Sequence, residues 1–178
     1  MTGEPPSPAI SLGALREEVY RTLATEGRSP SVRELARLTG LDRAVVLAGL
    51  AELARGHSLV LNGDGDAVRM AHLFSAAPMA FVVSPPDGGD DLRWWGGCAW
   101  GSFGISAALS LDVLIDTACL ACSAHLRVPA GPGRPPGSEL AVWIPRPAEQ
   151  WWDDVVATCT AIRPFCASRP HRRLAAAH

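Results

Sequence analysis

The 178-residue sequence predicts an α+β protein, in which a helical N-terminal region precedes a small mixed sheet packed with helices. Two observations predict this class. Apolar residues recur at helical spacing up to about residue 55, and segments rich in β-branched residues follow a polar loop at residues 84–91. A hydrophobic content of 48% is sufficient for a packed interior.

The first half of the chain predicts three helices. Between residues 11 and 27, leucine and valine recur every three or four positions, which is typical of an amphipathic helix. Ser31 and Glu34 have the spacing of a capping box, and Gly40 suits the end of that second helix. The same signals predict a third helix over residues 42–55.

A hairpin is predicted after these helices, with its turn at NGDGD, residues 62–66. Three helices followed by a hairpin form a winged helix-turn-helix pattern, which covers residues 11–75. A DNA-binding helix must offer side chains to base edges and phosphates. The third helix carries only two arginines, both offset by acidic neighbours, and the turn of the wing is acidic. We therefore expect a structural or dimerising winged helix, and DNA is not an expected partner.

Composition and hydropathy limit the cellular location and the classes of partner that we expect for this protein. A formal net charge of -2 gives no overall attraction to nucleic acid or acidic membranes. No signal-peptide pattern is present, and no stretch reaches the roughly 18 apolar residues needed to span a bilayer. We expect a cytoplasmic, soluble protein without a membrane partner, and the sequence leaves its oligomeric state open.

The chain is predicted to contain two domains between two tails. Their boundaries are a disordered tail at 1–10, a winged-helix-like domain at 11–83, a core domain at 92–170 and a tail at 171–178.

The core domain is predicted to alternate helices and strands. A short helix is expected after Cys98, a hairpin or two strands over 112–131, and one strand over 139–145. A helix or helix-turn is then expected to lead to Cys159.

Five cysteines form an odd set in a chain without an export signal, so free thiols are expected. The Cys119–Cys122 pair has CxxC spacing, which could chelate zinc or serve redox exchange, although incidental buried thiols remain the simpler interpretation. Cys98 and Cys159 lie in aromatic and apolar surroundings, where a thiol is inert unless a partner favours its thiolate. If the two sulfurs converge, they could form a linear site for Hg(II) or Cu(I).

Four segments of the second half resemble the core of the organomercurial (alkylmercury) lyases. They are WGGCAWGSFGISAAL, LIDTACLACSAHLRV, ELAVWIP and WWDDVVATCTAIRPF, and their order and spacing fit the family. Members also carry a winged-helix-like region before this core, so the resemblance covers about residues 11–170. The resemblance places Cys98 and Cys159 on the two catalytic cysteines, and Cys119 on a further thiol regarded as structural.

This resemblance implies protonolysis of a carbon–mercury bond. One thiolate attacks the mercury, the second joins it, and a proton is delivered to the departing carbon, which leaves Hg(II) between Cys98 and Cys159. No cofactor is required, Hg(II) is retained as a bound product, and Cu(I) is a possible alternative ion. The substrate is expected to be a small hydrophobic organomercurial. Its expected pocket residues are Trp95, Trp100, Ser102 and Phe103.

The sequence departs from the family pattern at the proton donor. The family's aspartate should follow the first thiol by three residues, and Gly101 stands there. Asp116, Asp153 or Asp154 could supply a carboxyl group only if the fold brought one of them within hydrogen-bond reach of the site. Reduced activity is therefore expected.

Two other functions stay open. The first is a non-catalytic thiolate protein or sensor that binds Hg(II) or Cu(I) through the same cysteines. The second is a repurposed enzyme of secondary metabolism that uses a hydrophobic pocket and is indifferent to mercury.

Overall fold

The computed structural model describes residues 12–86, 92–133 and 140–166. The chain divides into two compact units, residues 1–71 and 72–178. The predicted tails at 1–10 and 171–178 lie outside the described residues, as do parts of the loops after residues 86 and 133.

The first unit contains three helices followed by a hairpin. These elements are α1 (Leu12–Glu26), α2 (Val32–Thr39), α3 (Arg43–Arg55), β1 (Val60–Leu61) and β2 (Val68–Ala71). Strands β1 and β2 pair antiparallel. This order is the one that a winged helix requires, and the domain's role stays a prediction.

Local signals in the sequence define the ends of α2. The Ser31 hydroxyl accepts a hydrogen bond from the backbone N–H of Glu34 at 3.2 Å. The Glu34 carboxylate in turn accepts from the backbone N–H of Ser31 at 2.8 Å, so the predicted capping box is present. Gly40 ends the helix in the left-handed region at φ 71°, where a side chain would be strained. Asp42 occupies the N-cap of α3 without a side-chain cap hydrogen bond.

The second unit holds an antiparallel sheet, two helices and a separate strand pair. In chain order its elements are β3 (Phe74–Ser75), β4 (Phe81–Ser84), β5 (Trp94–Gly96), α4 (Ala99–Leu109), β6 (Val113–Ala118), β7 (His125–Ala130), β8 (Leu140–Trp143), a 3-10 turn (Ala148–Gln150), α5 (Val155–Ala161) and β9 (Arg163–Cys166). Within this unit the sheet runs in the order β3-β5-β4-β6-β7, and β8 pairs with β9.

The α+β class is confirmed, and the ladders of the second unit are antiparallel throughout, where the sequence predicted a mixed sheet. Strand β4 pairs with both β5 and β6. Residues 74–84 therefore belong to the sheet of the second unit, whereas the sequence grouped them with the first domain.

Close packing between α4 and β5 fixes the start of α4. A Cβ atom added at Gly96 would lie 2.0 Å from the Ser102 hydroxyl oxygen and 2.9 Å from the Ser102 Cβ, so only glycine fits there. Ser102 and Ile105 are fully buried on this helix. The helix is thereby held against the sheet with its first turn fixed in place.

None of the described helices is long and apolar enough to cross a membrane.

Candidate active site

Cys98 occupies the N-cap of α4. Its backbone is extended (φ -158°, ψ -179°), and its Sγ accepts a hydrogen bond from the backbone N–H of Gly101 at 3.3 Å. The first turn of a helix presents unpaired N–H groups and a partial positive charge, which favour an anion. A cysteine at this position is therefore predisposed to be a thiolate.

Cys159 approaches from α5. That helix begins at Asp154, whose carboxylate accepts a hydrogen bond from the backbone N–H of Ala157 at 2.9 Å. The end of α5 is joined to the start of α4, because the Ala99 N–H donates to the Ile162 carbonyl at 3.3 Å. Cys159 is consequently buried, and its thiol donates a hydrogen bond to the Cys98 sulfur.

The two sulfurs differ in acidity. The hydrogen bond from Cys159 lowers the pKa of Cys98, and burial opposes it. The backbone N–H groups of Gly101 and Trp100 add to the lowering, so the pKa of Cys98 falls from 9.0 to about 7. The same hydrogen bond, burial and the nearby charge of Cys98 raise the pKa of Cys159. At neutral pH Cys98 is therefore ionised in a substantial fraction of the molecules, while Cys159 keeps its proton.

Both sulfurs face one cavity of about 270 Å³. Its walls are mainly apolar and aromatic, a composition that excludes water and suits a small hydrophobic group. The lining residues are His72, Leu73, Gly97, Cys98, Trp100, Gly101, Trp151, Trp152, Val155, Thr158, Cys159 and Ile162.

Two residues of the cavity wall each carry a polar atom that has no hydrogen-bond partner within the described part of the chain. They are the His72 Nε2 and the Thr158 hydroxyl oxygen, and both are buried. The His72 ring packs edge-on against Trp152 with centroids 5.0 Å apart, and burial lowers the pKa of His72. An unsatisfied buried polar group costs about 1–3 kcal/mol, so these two atoms lie in an energetically unfavourable position.

The predicted pocket residues fall in different places. Trp100 lines the cavity and is 67% exposed, so it lies at the rim. Trp95 lies on β5, paired with Ser75 and Val82, and Ser102 packs against Gly96. Trp95, Ser102 and Phe103 are not among the residues that line the cavity.

The sequence also matches a known family. The profile of MerB, alkylmercury lyase, matches residues 74–178, which is more than half of the chain. The chain belongs to the alkylmercury lyase family. No curated protein matches the sequence. A solved structure, the crystal structure of the mercury-bound form of MerB2, is similar with a TM-score of 0.64 and 22% sequence identity, covering 92% of this chain and 77% of that one. That likeness shows a shared fold.

This alkylmercury lyase family member has no acidic side chain among the described residues that line its cavity. Asp116 accepts a hydrogen bond from the Nε2 of His125 at 2.8 Å, so it faces the edge strand β7. Asp154 caps α5, and Asp153 is exposed. None of the three carboxyl groups considered from the sequence lies in the cavity wall.

Gly101 lies at the cavity wall, where the resemblance would place the aspartate. A Cβ atom added there would lie 3.8 Å from the Cys98 Sγ and 3.1 Å from the carbonyl oxygen of Leu73. A side chain at residue 101 would therefore start beside the sulfur.

His72 is the functional candidate that the sequence did not reveal. It falls in a segment predicted as part of a hairpin, and it precedes the matched family region. At the cavity wall its ring packs against Trp152, which is far away in sequence.

Proposed function

We propose that this protein cleaves carbon–mercury bonds of small organomercurials by protonolysis and retains Hg(II) between Cys98 and Cys159. The observation that carries the proposal is that two buried cysteines, Cys98 and Cys159, line one apolar cavity. A soft sulfur pair suits a thiophilic ion, and the apolar walls suit its organic group.

The first step belongs to Cys98. Its thiolate displaces the anionic ligand of the organomercurial and forms a sulfur–mercury bond, while the carbon–mercury bond stays intact. Cys98 acts first because its pKa of about 7 leaves it substantially ionised at neutral pH, whereas the proton stays on Cys159.

The second step belongs to Cys159. Its sulfur binds the mercury as its S–H bond breaks, and the proton ends on the carbon, which takes the electron pair of the carbon–mercury bond. Hydrocarbon leaves, and a neutral mercury dithiolate remains. No electrons enter or leave the site, so no redox partner is required.

His72 is the group that would carry the proton from the Cys159 sulfur to the departing carbon. His72 lines the cavity, and its buried Nε2 has no hydrogen-bond partner among the described residues. The lowered pKa keeps the ring neutral and able to accept a proton from a thiol that is giving up its own. In this role His72 would replace the carboxyl group that Gly101 does not provide.

The decisive experiment measures hydrocarbon release. The full chain is incubated with phenylmercury and an excess of a monothiol, and benzene is quantified by gas chromatography. We expect the wild type to release benzene and to retain Hg(II), and we expect Cys98→Ser and Cys159→Ser to release none above the blank. A wild type that releases no more benzene than Cys98→Ser would overturn the proposal.

A second candidate function is non-catalytic binding of Hg(II) or Cu(I). It is favoured by the absence of an acidic side chain among the described residues of the cavity wall. It predicts one ion bound between Cys98 and Cys159 with no benzene released, and binding that Cys159→Ala abolishes. A protein indifferent to mercury in both assays would instead favour the use of the cavity for another hydrophobic molecule.

A further inference from the structure

Three cysteines that the proposed reaction does not use lie together elsewhere in the second unit. Cys119, Cys122 and Cys166 have all their sulfur atoms within 4.8 Å of one another, and we call them the three-thiol cluster. The Cys119 and Cys166 sulfurs are 3.5 Å apart, and the Cys122 and Cys166 sulfurs are 3.7 Å apart. These separations are far longer than the roughly 2.05 Å of a disulfide bond.

The backbone holds this arrangement in place. Cys119 directly follows β6 and begins a turn closed by the hydrogen bond from the Ser123 N–H to the Cys119 carbonyl at 2.9 Å. The Leu120 N–H donates to the Pro164 carbonyl at 3.0 Å, which ties this turn to β9 and brings in Cys166. The cluster is therefore built from a turn and a strand end far apart in sequence.

The sulfur atoms form a compact set of soft donors. The Cys119 sulfur also accepts a hydrogen bond from the backbone N–H of Cys166 at 3.4 Å, which holds the turn and the strand end together at this point. Sulfur donors gathered this closely suit a single soft cation.

We infer that the three-thiol cluster is a second metal site, which binds one thiophilic cation, Hg(II) or Cu(I), in trigonal sulfur coordination. Three sulfurs around a metal at about 2.3 Å stand about 4.0 Å from one another in a plane, close to the separations observed. Soft thiolate ligands select soft cations. Structural zinc almost always takes four ligands, and the described residues supply three here.

The three cysteines differ in exposure. Cys119 is buried, whereas Cys122 and Cys166 are half-buried and are therefore the more exposed members of the cluster. His125 is not part of the three-thiol cluster, and its Nε2 pairs with Asp116. The inference does not rest on the proposed lyase activity, since it uses none of the residues that line the cavity.

The test removes the first site and keeps the second. The full-length Cys98→Ser/Cys159→Ser variant and the wild type are each loaded with three equivalents of mercuric chloride and dialysed against an excess of 2-mercaptoethanol. We expect one equivalent of mercury to remain, with three sulfur neighbours by X-ray absorption, and we expect two equivalents to remain on the wild type. A parallel anaerobic arm with Cu(I) is expected to give the same sulfur count.

The matched control adds Cys122→Ser to that background. Cys122 is chosen because it is half-buried, whereas the buried Cys119 accepts a backbone hydrogen bond and its loss could disturb the fold. We expect the added substitution to reduce the shell to two sulfurs or to release the metal, with an unchanged circular dichroism spectrum. Loss of all mercury from the double variant, a two-sulfur shell unaffected by Cys122→Ser, or equal retention of zinc in a four-coordinate shell would overturn the inference.

Discussion

Introducing an aspartate at residue 101 tests whether proton delivery limits the proposed reaction. The Cβ atom of Gly101→Asp would lie 3.8 Å from the Cys98 Sγ, so its carboxyl group would stand in the cavity beside the attacking sulfur. A positioned general acid commonly contributes about 10²–10⁴-fold in rate. That range corresponds to about 3–5 kcal/mol of activation free energy, and benzene release should rise by this factor.

The structure also gives the cost of this substitution. The new Cβ would be 3.1 Å from the carbonyl oxygen of Leu73, so that backbone must move by a few tenths of an ångström. Residue 101 lies in the first turn of α4, where a carboxylate gains about 0.3–1 kcal/mol from the helix dipole. The free energy of unfolding should therefore change by no more than about 1 kcal/mol. The added negative charge should raise the pKa of Cys98.

Gly101→Asn is the matched control, because it has the same shape and lacks the acidic proton. Benzene release is measured for wild type, Asp and Asn forms at saturating phenylmercury, and urea unfolding shows that each is folded. Only the Asp form should gain activity. If the Asp form is folded, retains Hg(II) and turns over no faster than the Asn form, the reasoning that a carboxyl group at this position completes the site is wrong.

Three other predictions follow from particular contacts. In Cys159→Ala, the hydrogen bond that lowers the pKa of Cys98 is lost. In the wild type, the rate of Cys98 alkylation by iodoacetamide should fall as the pH drops through about 7. In the variant, the midpoint of this pH profile should lie nearer 9.0, and an unchanged midpoint would contradict the prediction. His72→Gln preserves a polar side chain of similar size but cannot relay a proton, so benzene release should fall about 10²–10⁴-fold while Hg(II) retention is unchanged. Equal release by both proteins would remove His72 from the mechanism. Gly96→Ala forces a methyl group to within 2.0 Å of the Ser102 hydroxyl oxygen, so the free energy of unfolding in urea should fall by about 1–3 kcal/mol, and an unchanged value would refute the packing argument.

Local structure was predictable from the sequence where a few neighbouring residues determine it. The capping box of Ser31 and Glu34 and the left-handed Gly40 define α2 without help from the rest of the chain. The placement of β3 and β4 was not predictable, because their partners are chosen by pairing across the sheet. Residues 74–84 lie before the polar loop in sequence and beside β5 and β6 in space.

The residues of the cavity wall were also only partly predictable from the sequence. Its sulfur pair was expected from a resemblance that spans distant segments, whereas the pocket residues were expected from proximity to Cys98 in sequence. Successive helical residues turn by about 100°, so Gly101 faces the cavity while Ser102 faces Gly96 on the sheet. His72 carried no sequence signal at all, because its position depends on a contact with Trp152.

The order of the proposed steps follows from the asymmetry of the sulfur pair and not from the presence of two cysteines alone. Cys98 receives N–H groups at a helix N-terminus, and Cys159 lies near the other end of its helix, where no such groups are free. Two equivalent thiolates would bind Hg(II) equally well but would bring no proton to the carbon. Because Cys159 keeps its proton when Cys98 is ionised, binding of the second sulfur releases that proton for transfer through His72 to the carbon, which links metal capture to bond cleavage.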